Sequence, residues 1–503
     1  MLTSRCAGMF LAVATAQACA CRCAAPPSPV GEAVRGLGEL PAPGEFLSED
    51  WYRVEIQGQP AGFTHTTVYR VPPESGGGYL IRHHSEVAFL RQDERAVIEA
   101  DTETHEDAEG NLLRLRREKR QPGSRDRLEA GRLGGELVTV SNDEIRREPL
   151  ALPLYALDRL EWHLYRKGLK PGDRFEVRAF DGDSGDTCLT RVEVREASST
   201  GARLLADSCA APGSTIELWL DGEGKLVESV QTLGRISVRA VRAQGPLDVP
   251  RGVCLTELMF IRVQPPAGYP QNARKVRLHL SGLPQNRPTA LEAPGQRVVG
   301  QPAPGTVELE LTALLTPARL PYPLPEMPPE VAPYLAPSAM VQSDHPEIVA
   351  AAREAARGAT DALAAVRRLA ALVKERLRAS MSKPNASALD AWRERSGDCT
   401  ERALLLTALC RAAGIPARGA MGLVYTDRAF GFHMWNEVYL NGWVPVDAGL
   451  EGPPPRPTHL WLAADPLLPG VAPRETREAA GIIASDLRIE FLRMEPLLPA
   501  ESP

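Results

Sequence analysis

The sequence has little net charge and few aromatic side chains for a chain of 503 residues. Its 58 Lys and Arg residues nearly balance 64 Asp and Glu residues, and the formal net charge of −6 is mixed in sign along the chain. This pattern excludes the basic surface of a nucleic-acid-binding protein. Aromatic residues make up 5%, against 42 glycines and 45 prolines, a composition typical of short strands, many turns and extended linkers. The length predicts two or three domains.

The nine cysteines do not form the paired clusters that a structural zinc site requires. Cys19, Cys21 and Cys23 lie close together but have no second half elsewhere, and Cys21 and Cys23 are assigned to a tether. We therefore predict no metal and no other cofactor. Cys188 and Cys209 flank one hairpin-sized segment and are the best candidates for a disulfide, although spacing alone does not establish connectivity.

Residues 1–18 have the three-part layout of an export signal. A basic start is followed by an apolar stretch too short to span a bilayer, and then by the small residues Ala16 and Ala18 directly before Cys19. Cleavage there would leave Cys19 for a lipid anchor, although Ala16 stands where lipoprotein signals usually carry an aliphatic residue. We predict an exported protein in the periplasm or cell envelope, with lipid anchoring left open, and interpret residues 19–47 as a Pro- and Ala-rich tether.

Residues 48–263 predict an antiparallel all-β domain, either a sandwich, a clam or an open barrel. Apolar and charged residues alternate, as in 52–56, and similar stretches recur at intervals separated by Gly-rich turns. One helix is predicted from Pro153 to Tyr165. The stretch from Cys254 to Val263 is interpreted as the last strand of this domain.

Two sequences in this region resemble functional motifs but favour structural roles. The carboxylates of 181–186 alternate as in a calcium loop but lack the bidentate acid at its end, so we predict a solvated turn. His83 and His84 are adjacent, and adjacent residues of a strand face opposite ways, so the two cannot hold one metal ion together. The turn sequences 107–112 and 221–226 are also alike, which indicates either two related halves or the same hairpin chemistry used twice.

Proline-rich residues 264–338 are predicted to connect the β domain to a second domain at 339–475, with strands at 275–280 and 306–312 and a C-terminal strand and tail at 476–503. Helices are predicted from Glu347 to Arg357 and after Thr360. The whole chain is therefore predicted to be a multidomain α+β protein.

The chemistry is concentrated between Ser396 and Leu450. Asp398 is predicted to cap a buried helix that ends at Gly414, which places Cys399 in its first turn, where the helix dipole favours thiolate over thiol. Cys410, near the other end of the same helix, lies in the opposite field and is interpreted as a packing residue.

A hairpin places His433 and Asp447 on one face only if its loop has three residues. A two-residue Asn441-Gly442 turn would pair Asn436 with Asp447 and direct His433 to the opposite face. A loop from Leu440 to Gly442, with Gly442 in the left-handed position, pairs Tyr439 with Trp443 and makes His433 and Asp447 diagonal neighbours. We predict the three-residue loop.

Several linked motifs of this stretch occur in the order found in the bacterial transglutaminase-like family, and the region from Asp344 to Leu462 resembles that family. The motifs are Gly397-Asp398-Cys399-Thr400-Glu401, Arg411 to Arg418, His433-Met434-Trp435-Asn436-Glu437-Val438 and Gly442-Trp443-Val444-Pro445-Val446-Asp447. The resemblance implies a papain-like α+β core. It also implies Cys399 as nucleophile, His433 as general base and acid, and Asp447 as the group that holds the imidazole. Bacterial members often show a histidine where Arg402 stands here.

Two functions of different class follow. The first is an exported cysteine-dependent acyl transferase or amide hydrolase, which forms a thioester with a peptide or glutamine-type amide and passes the acyl group to water or to an amine. The alternative is a catalytically silent envelope protein of the same fold that binds a protein or glycan. An exposed thiol within hydrogen-bond reach of His433 would favour the enzyme, whereas a buried Cys399, or one paired with Cys410, would favour the binding protein.

Three tryptophans are secondary candidates for contact with a protein or peptide substrate. Trp435 and Trp443 are interpreted as walls of the site. Trp392 is the nearest indole that could assist an oxyanion beside the Cys399 N–H, although core packing is the alternative role. His459, near Trp461, is interpreted as structural. The sequence gives no indication of an oligomeric state.

Overall fold

The computed structural model describes residues 29–496 except 92–93, 122–123, 142–143, 208–213, 234–235, 255–259, 265–269, 284–290, 314–318, 326, 381–386, 427, 451–456, 469–478, 480–481 and 483–485. These residues form two compact units, one ending and the other beginning within 255–259. The predicted export signal, Cys19, Cys21, Cys23 and Cys209 lie outside the described residues. None of the helices in the described ranges is both long and apolar enough to cross a membrane.

The first unit is an all-β region, as predicted, and it is built on one long sheet. Neighbouring strands pair antiparallel along the order β8 to β1 and then β15 to β9, except that β9 runs parallel to β10, and β16 also pairs parallel with β3. Apolar residues alternate with polar ones along most strands, so that one face is buried. The strands are β1 Glu45–Ile56, β2 Gln59–Arg70, β3 Tyr79–Arg91, β4 Glu94–Glu106, β5 Leu112–Gln121, β6 Ser124–Leu133, β7 Glu136–Ser141, β8 Glu144–Pro149, β9 Tyr155–Ala156, β10 Arg174–Phe180, β11 Thr187–Ser198, β12 Gly201–Asp207, β13 Thr215–Asp221, β14 Leu226–Leu233, β15 Ile236–Ala243 and β16 Val253–Cys254.

A short helix, α1 (Pro29–Gly36), lies within the segment interpreted as a tether. Its residue Ala33 is buried with Val138 and Val140 of β7, and Val30 and Val34 pack around them. The stretch is therefore not a featureless spacer. Its apolar residues recur at helical spacing, a signal that the surrounding Pro and Gly residues obscured.

A second helix, α2 (Leu160–Arg166), follows the 3-10 turn Leu157–Arg159 where a helix from Pro153 to Tyr165 was predicted.

The two similar turns at 107–112 and 221–226 lie against neighbouring side chains of α2. In each turn the first Asp accepts backbone N–H groups two and four residues on, and the Gly has a positive φ. A Cβ on Gly110 would lie 2.6 Å from His163, and one on Gly224 would lie 2.4 Å from Tyr165. Both turns thus use the same hairpin chemistry.

The 181–186 turn is anchored rather than solvated, which corrects the prediction. Asp181 is 1% exposed, and its carboxylate accepts the Asp183 N–H and the Ser184 hydroxyl. Arg117 binds Asp183 and Arg146 binds Asp186, at 3.0 and 2.7 Å. The carboxylates are thus paired with arginines. His83 is buried against Thr66, whereas His84 bonds Asp101 and Glu86, so the two rings do face opposite ways.

In the described residues, the second unit combines a layer of helices with two larger sheets and a two-stranded sheet, β21-β22. Its helices are α3 Pro346–Ala356, α4 Ala362–Arg376, α5 Ala388–Glu394 and α6 Cys399–Ala412. It also has 3-10 turns at Pro270–Asn272 and Pro329–Leu335, and the first unit has one at Pro73–Ser75. The strands are β17 Phe260–Arg262, β18 Ala273–Ser281, β19 Gln296–Gly300, β20 Thr306–Thr312, β21 Arg378–Ala379, β22 Ser396–Gly397, β23 Ala417–Thr426, β24 Ala429–Tyr439, β25 Trp443–Val446, β26 His459–Asp465 and β27 Arg488–Pro496.

The central sheet of this unit has the order β17-β24-β23-β26, with β25 on β24. One core joins its residues Val438, Val444 and Val446 to the four helices. Another core joins Leu423 and Phe430 to a second sheet of order β19-β20-β18-β27. The predicted connecting region and C-terminal tail thus meet in one sheet, because β18 pairs with β27 about two hundred residues later.

The stretch from Cys254 to Val263 is not one strand. Cys254 ends β16, which pairs with β3 of the first unit, whereas Phe260 begins β17, which pairs with β24 of the second unit. The division between the units therefore falls before position 263. Cys188 is disulfide-bonded. Its predicted partner, Cys209, lies outside the residues that the structure describes.

Candidate functional site

Cys399 is the first residue of helix α6, as predicted. Asp398 caps the helix: its carboxylate accepts the Thr400 N–H at 2.7 Å, and Glu401 accepts the Asp398 N–H at 2.8 Å, which completes a capping box. Gly397 is needed here, because a Cβ at that position would lie 2.4 Å from the Cβ of Glu401. Local sequence therefore fixes where the helix begins and hence where the thiol lies.

The thiol of Cys399 is free and half-buried. It packs beside Ala403, Met421 and Met434, a small apolar cluster that partly shields it. Its backbone N–H is in the first turn, where no intrahelical acceptor exists. An incoming carbonyl oxygen could therefore be met by this N–H.

Cys410 differs from Cys399 although both lie on α6. It is fully buried in the core of the helical layer, and this burial raises the pKa of its thiol to about 12. It is free and not paired with Cys399. The packing role predicted for Cys410 is confirmed.

The β24–β25 hairpin has the predicted register. Tyr439 pairs with Trp443, and the pairing continues to Asn436 and Val446. Both Asn441, with φ of 60°, and Gly442, with φ of 146°, adopt positive φ values, so the left-handed conformation is reached one residue earlier than predicted. The three-residue loop is confirmed, and Asp447 follows β25 directly.

His433 and Asp447 form a buried hydrogen-bonded pair. The Nε2 atom of His433 lies 2.7 Å from Oδ2 of Asp447, and the residues are 6% and 2% exposed. The Cys399 thiol also bonds to the His433 ring, and because Nε2 is taken, Nδ1 is the atom left for it. The structure thus brings the three predicted residues together.

The electrostatics of this cluster favour a protonated imidazole. Burial alone would lower the pKa of His433, but its hydrogen bonds to Asp447 and Cys399 outweigh burial and raise the pKa to about 10. Burial would likewise raise the pKa of Asp447, yet bonds from His433 and His459 hold it well below its usual range. At neutral pH the pair is therefore imidazolium and carboxylate.

His459, interpreted from the sequence as structural, bonds the same carboxylate. Its Nε2 lies 3.0 Å from Oδ2 of Asp447. The other oxygen, Oδ1, accepts the N–H groups of Gly449 at 2.6 Å and Leu450 at 3.2 Å. The contact between His459 and Asp447 could not be read from the order of the strands in the sequence. Strand β26, which carries His459, pairs with β23 and not with β25, which precedes Asp447.

Asn436 joins the strand that carries His433 to the helix that carries Cys399. Its side-chain amide donates to the Ala403 carbonyl and to the Thr407 hydroxyl, both at 2.8 Å. Asn436 is 1% exposed. This contact sets the spacing of helix and strand, and sequence reasoning missed it although Asn436 belongs to the quoted motif.

The tryptophan candidates are dispersed. The Trp435 ring stacks near His433, with centroids 6.1 Å apart, and meets the His459 ring edge-on at 5.2 Å. The Trp443 ring instead contacts Tyr334, Tyr439 and Arg418. Trp392 lies under Arg376 at 3.5 Å and packs against the helical core. Only Trp435 of the three has a ring contact with a residue of the Cys-His-Asp cluster among the described residues.

Arg402 lies on the His433 side of the cluster. A Cβ on Gly449 would lie 3.8 Å from Arg402 Cδ and 3.7 Å from His433 Cε1, and the guanidinium donates to the Leu377 carbonyl. The aliphatic stem of Arg402 therefore closes one side of the cluster.

The cluster also contains a donor set of a type that binds transition metals. The ligating atoms of His433, Asp447 and His459 lie within 4.8 Å of one another and are buried. The hydrogen bonds described above already satisfy these atoms.

Comparison with known proteins bears on the second unit. Residues 349–448 match the model of the transglutaminase-like superfamily. These residues form a transglutaminase-like domain. The match contains the cysteine, the histidine and the aspartate of the cluster, whereas His459 lies beyond its end.

Solved structures give weaker likenesses. A "Putative Cysteine Protease" from Cytophaga hutchinsonii is 18% identical, covers 47% of this chain and 86% of its own, and has a TM-score of 0.30. A beta-barrel-like protein of a domain of unknown function from Brucella abortus is 15% identical, covers 40% and 98%, and has a TM-score of 0.31. These TM-scores are too low to support an argument. Among curated proteins, none matches the chain.

Proposed function

We propose that the protein is a cysteine-dependent enzyme that transfers the acyl group of a peptide or glutamine-type amide through a thioester, to water or to an amine. The observation that carries the proposal is the hydrogen-bonded series from the Cys399 thiol through His433 to Asp447. The Cys399 thiol is half-buried rather than fully exposed, but it is free, is not paired with Cys410 and lies beside the imidazole. These last three features favour the enzyme over the silent binding protein.

Cys399 acts as the nucleophile. Its thiolate attacks the carbonyl carbon of the amide, so that a carbon–sulfur bond forms while the carbonyl becomes an oxyanion. The N–H of Cys399, at the positive end of α6, supports this charge. When the oxyanion collapses, the carbon–nitrogen bond breaks and the acyl group remains on sulfur.

His433 moves the proton. Its Nδ1–H faces the thiolate and donates a proton to the departing amine, which leaves the imidazole neutral. In the second half, Nδ1 takes a proton from water or from an acceptor amine as that group attacks the thioester carbon. The carbon–sulfur bond then breaks, which releases the acyl product and returns the Cys399 thiolate beside the imidazolium. Asp447 holds Nε2–H throughout, which fixes the tautomer and leaves Nδ1 directed at sulfur.

Activity should depend on one of the two thiols of α6 and not on the other. We expect Cys399→Ala to abolish ammonia release from glutamine-containing peptides, and Cys410→Ala to retain it, since Cys410 is buried in the core. The probe is a digest of a glutamine-rich protein, with ammonia and new peptide termini measured with and without a primary amine. Equal turnover by Cys399→Ala and the unmodified protein would contradict the proposal.

The same experiment separates the two acceptors. Amine incorporation without new termini indicates transamidation, ammonia release without incorporation indicates deamidation, and new termini indicate peptide hydrolysis. Export to the periplasm or cell envelope, with a lipid at Cys19 as the alternative to a free form, is part of the same proposal. It rests on the signal-like residues 1–18.

A further inference from the structure

We propose that His459 is a positioning residue of this site: it holds the Asp447 carboxylate in the orientation in which Asp447 holds His433. The inference rests on the proposed function and deepens it. It follows from the four donors that surround one carboxylate, of which the family match over residues 349–448 contains His433 alone.

Asp447 accepts a hydrogen bond at each of the positions available to a buried carboxylate. Oδ1 accepts two backbone N–H groups from Gly449 and Leu450, and Oδ2 accepts His433 and His459. A carboxylate with two oxygens offers about four such positions. The backbone holds one edge of the group, and His459 is the donor that fixes the edge facing His433.

The ring of His459 is itself held in place. Because an ionised Asp447 can only accept, Nε2 of His459 carries the hydrogen, and Nδ1 is left to accept from the Thr458 hydroxyl at 3.3 Å. The side chain is 4% exposed and its ring meets Trp435 edge-on. A donor fixed from both sides is suited to orienting its acceptor.

Two carboxylates lie near His459, and Asp447 is the one that is hydrogen-bonded to it. Glu437 lines the same small cavity as His459, but its carboxylate is bonded to Arg418 at 2.7 Å. His433, on the other side of Oδ2, has its ring centroid 5.9 Å from that of His459. The two histidines thus donate to the same oxygen, Oδ2 of Asp447, and together they fix its position.

Two substitutions separate positioning from packing. His459→Leu keeps an apolar side chain of similar size but removes the donor to Asp447. His459→Gln removes the ring but keeps an amide N–H that can reach the same oxygen. A packing role predicts that Leu is the better replacement, whereas a positioning role predicts that Gln is.

The readout is the alkylation rate of Cys399 by iodoacetamide, resolved by peptide mass spectrometry, from pH 5 to 11. At neutral pH the thiolate depends on a correctly held imidazolium, while at the alkaline end it forms without that help. We expect His459→Leu to lower the ratio of the pH 6.5 rate to the pH 11 rate about 10-fold or more, the scale of one charge-assisted bond. His459→Gln should restore most of it.

Reference variants make each outcome decisive. His433→Ala gives the ratio expected without an ion pair, and labelling of buried Cys410 reports loosening of the fold. If the unmodified protein and His433→Ala share one ratio, the proposed function itself fails. If the unmodified protein differs from His433→Ala but His459→Leu retains the unmodified ratio, or His459→Gln is the poorer variant, the positioning role of His459 is overturned and the triad stands.

Discussion

Replacement of Asp447 by Asn should lower the pKa of His433. The carboxylate is 2% exposed and is one of two groups that raise this pKa to about 10. Asn keeps an oxygen for the backbone N–H groups of Gly449 and Leu450, but its NH2 group then faces the Nε2–H of His433. Loss of one charge-assisted hydrogen bond costs roughly 1.5–3 kcal/mol, which corresponds to about one to two pH units. We therefore expect a pKa of about 8–9 in Asp447→Asn.

Histidine-selective ¹⁵N NMR measures this value directly, with the His433 resonance assigned from a His433→Gln variant. Asp361→Asn is the matched control, because Asp361 caps α4 and Asn caps a helix equally well. It should leave the pKa of His433 at about 10. A titration of His433 that is the same in Asp447→Asn as in the unmodified protein would refute the role given to the carboxylate.

The same substitution has a signed effect on stability. A pKa raised in the folded state gives stability that is complete below the unfolded value near 6.5 and is lost as pH rises toward 10. The free energy of unfolding in urea should therefore fall less between pH 6.5 and 10 in Asp447→Asn than in the unmodified protein. Cys410, with its raised pKa, gives a fall of the same sign in both proteins and cancels in the comparison.

Three further predictions concern the support of the site. Arg411→Met removes five buried hydrogen bonds to backbone carbonyls and should destabilise the protein by about 3 kcal/mol or more in urea unfolding. The same change at exposed Arg367 should cost less than about 0.5 kcal/mol, and equal effects would contradict the account. Burial, helped by Asp398, raises the pKa of Glu401 to about 8. The stability of Glu401→Gln relative to the unmodified protein should therefore increase from pH 5 to pH 8. A difference that stays constant with pH would argue against a buried protonated acid. Asn436→Ala should cost about 1–3 kcal/mol and slow alkylation of Cys399 at neutral pH, and unchanged values of both would exclude Asn436 as the link between helix and strand.

The parts of the site that the sequence predicts are those fixed by local rules. The start of α6 follows from a capping residue, and the pairing of Tyr439 with Trp443 follows from the loop length. The first rule places Cys399 at the start of the helix, and the second places His433 and Asp447 on one face of the hairpin. The packing role of Cys410 follows from its apolar neighbours on the same helix.

The remaining contacts depend on strand order and helix docking, which no local pattern encodes. His459 reaches Asp447 because β26 pairs with β23, and the spacing of these strands in the sequence does not specify that pairing. Strand β18 pairs with β27 across most of the second unit. Arg411, at the end of α6, donates to carbonyls of two distant segments, at 336 and 466–467, as well as to the nearby carbonyl of Ala417. Its motif does not indicate the two distant partners.

In the first unit the alternation of apolar and polar residues predicts the strands and the all-β class. It does not predict how the 181–186 turn packs against the strands. That turn has the composition of a solvated loop, and its contacts with Arg117 and Arg146, which are distant in the sequence, anchor it. Likewise, α1 is stabilised by contact with β7 rather than by its own propensity. Tertiary partners decide both cases.

The central claim of the proposed function is that the His433 imidazole activates the Cys399 thiol for attack on the amide. The most direct test is the rate of Cys399 alkylation by iodoacetamide at pH 6 and pH 9, in the unmodified protein and in His433→Ala. The account predicts similar rates at the two pH values in the unmodified protein, and a rate in His433→Ala that is slow at pH 6 and rises steeply by pH 9. Equal, slow alkylation of both proteins at pH 6 would contradict it.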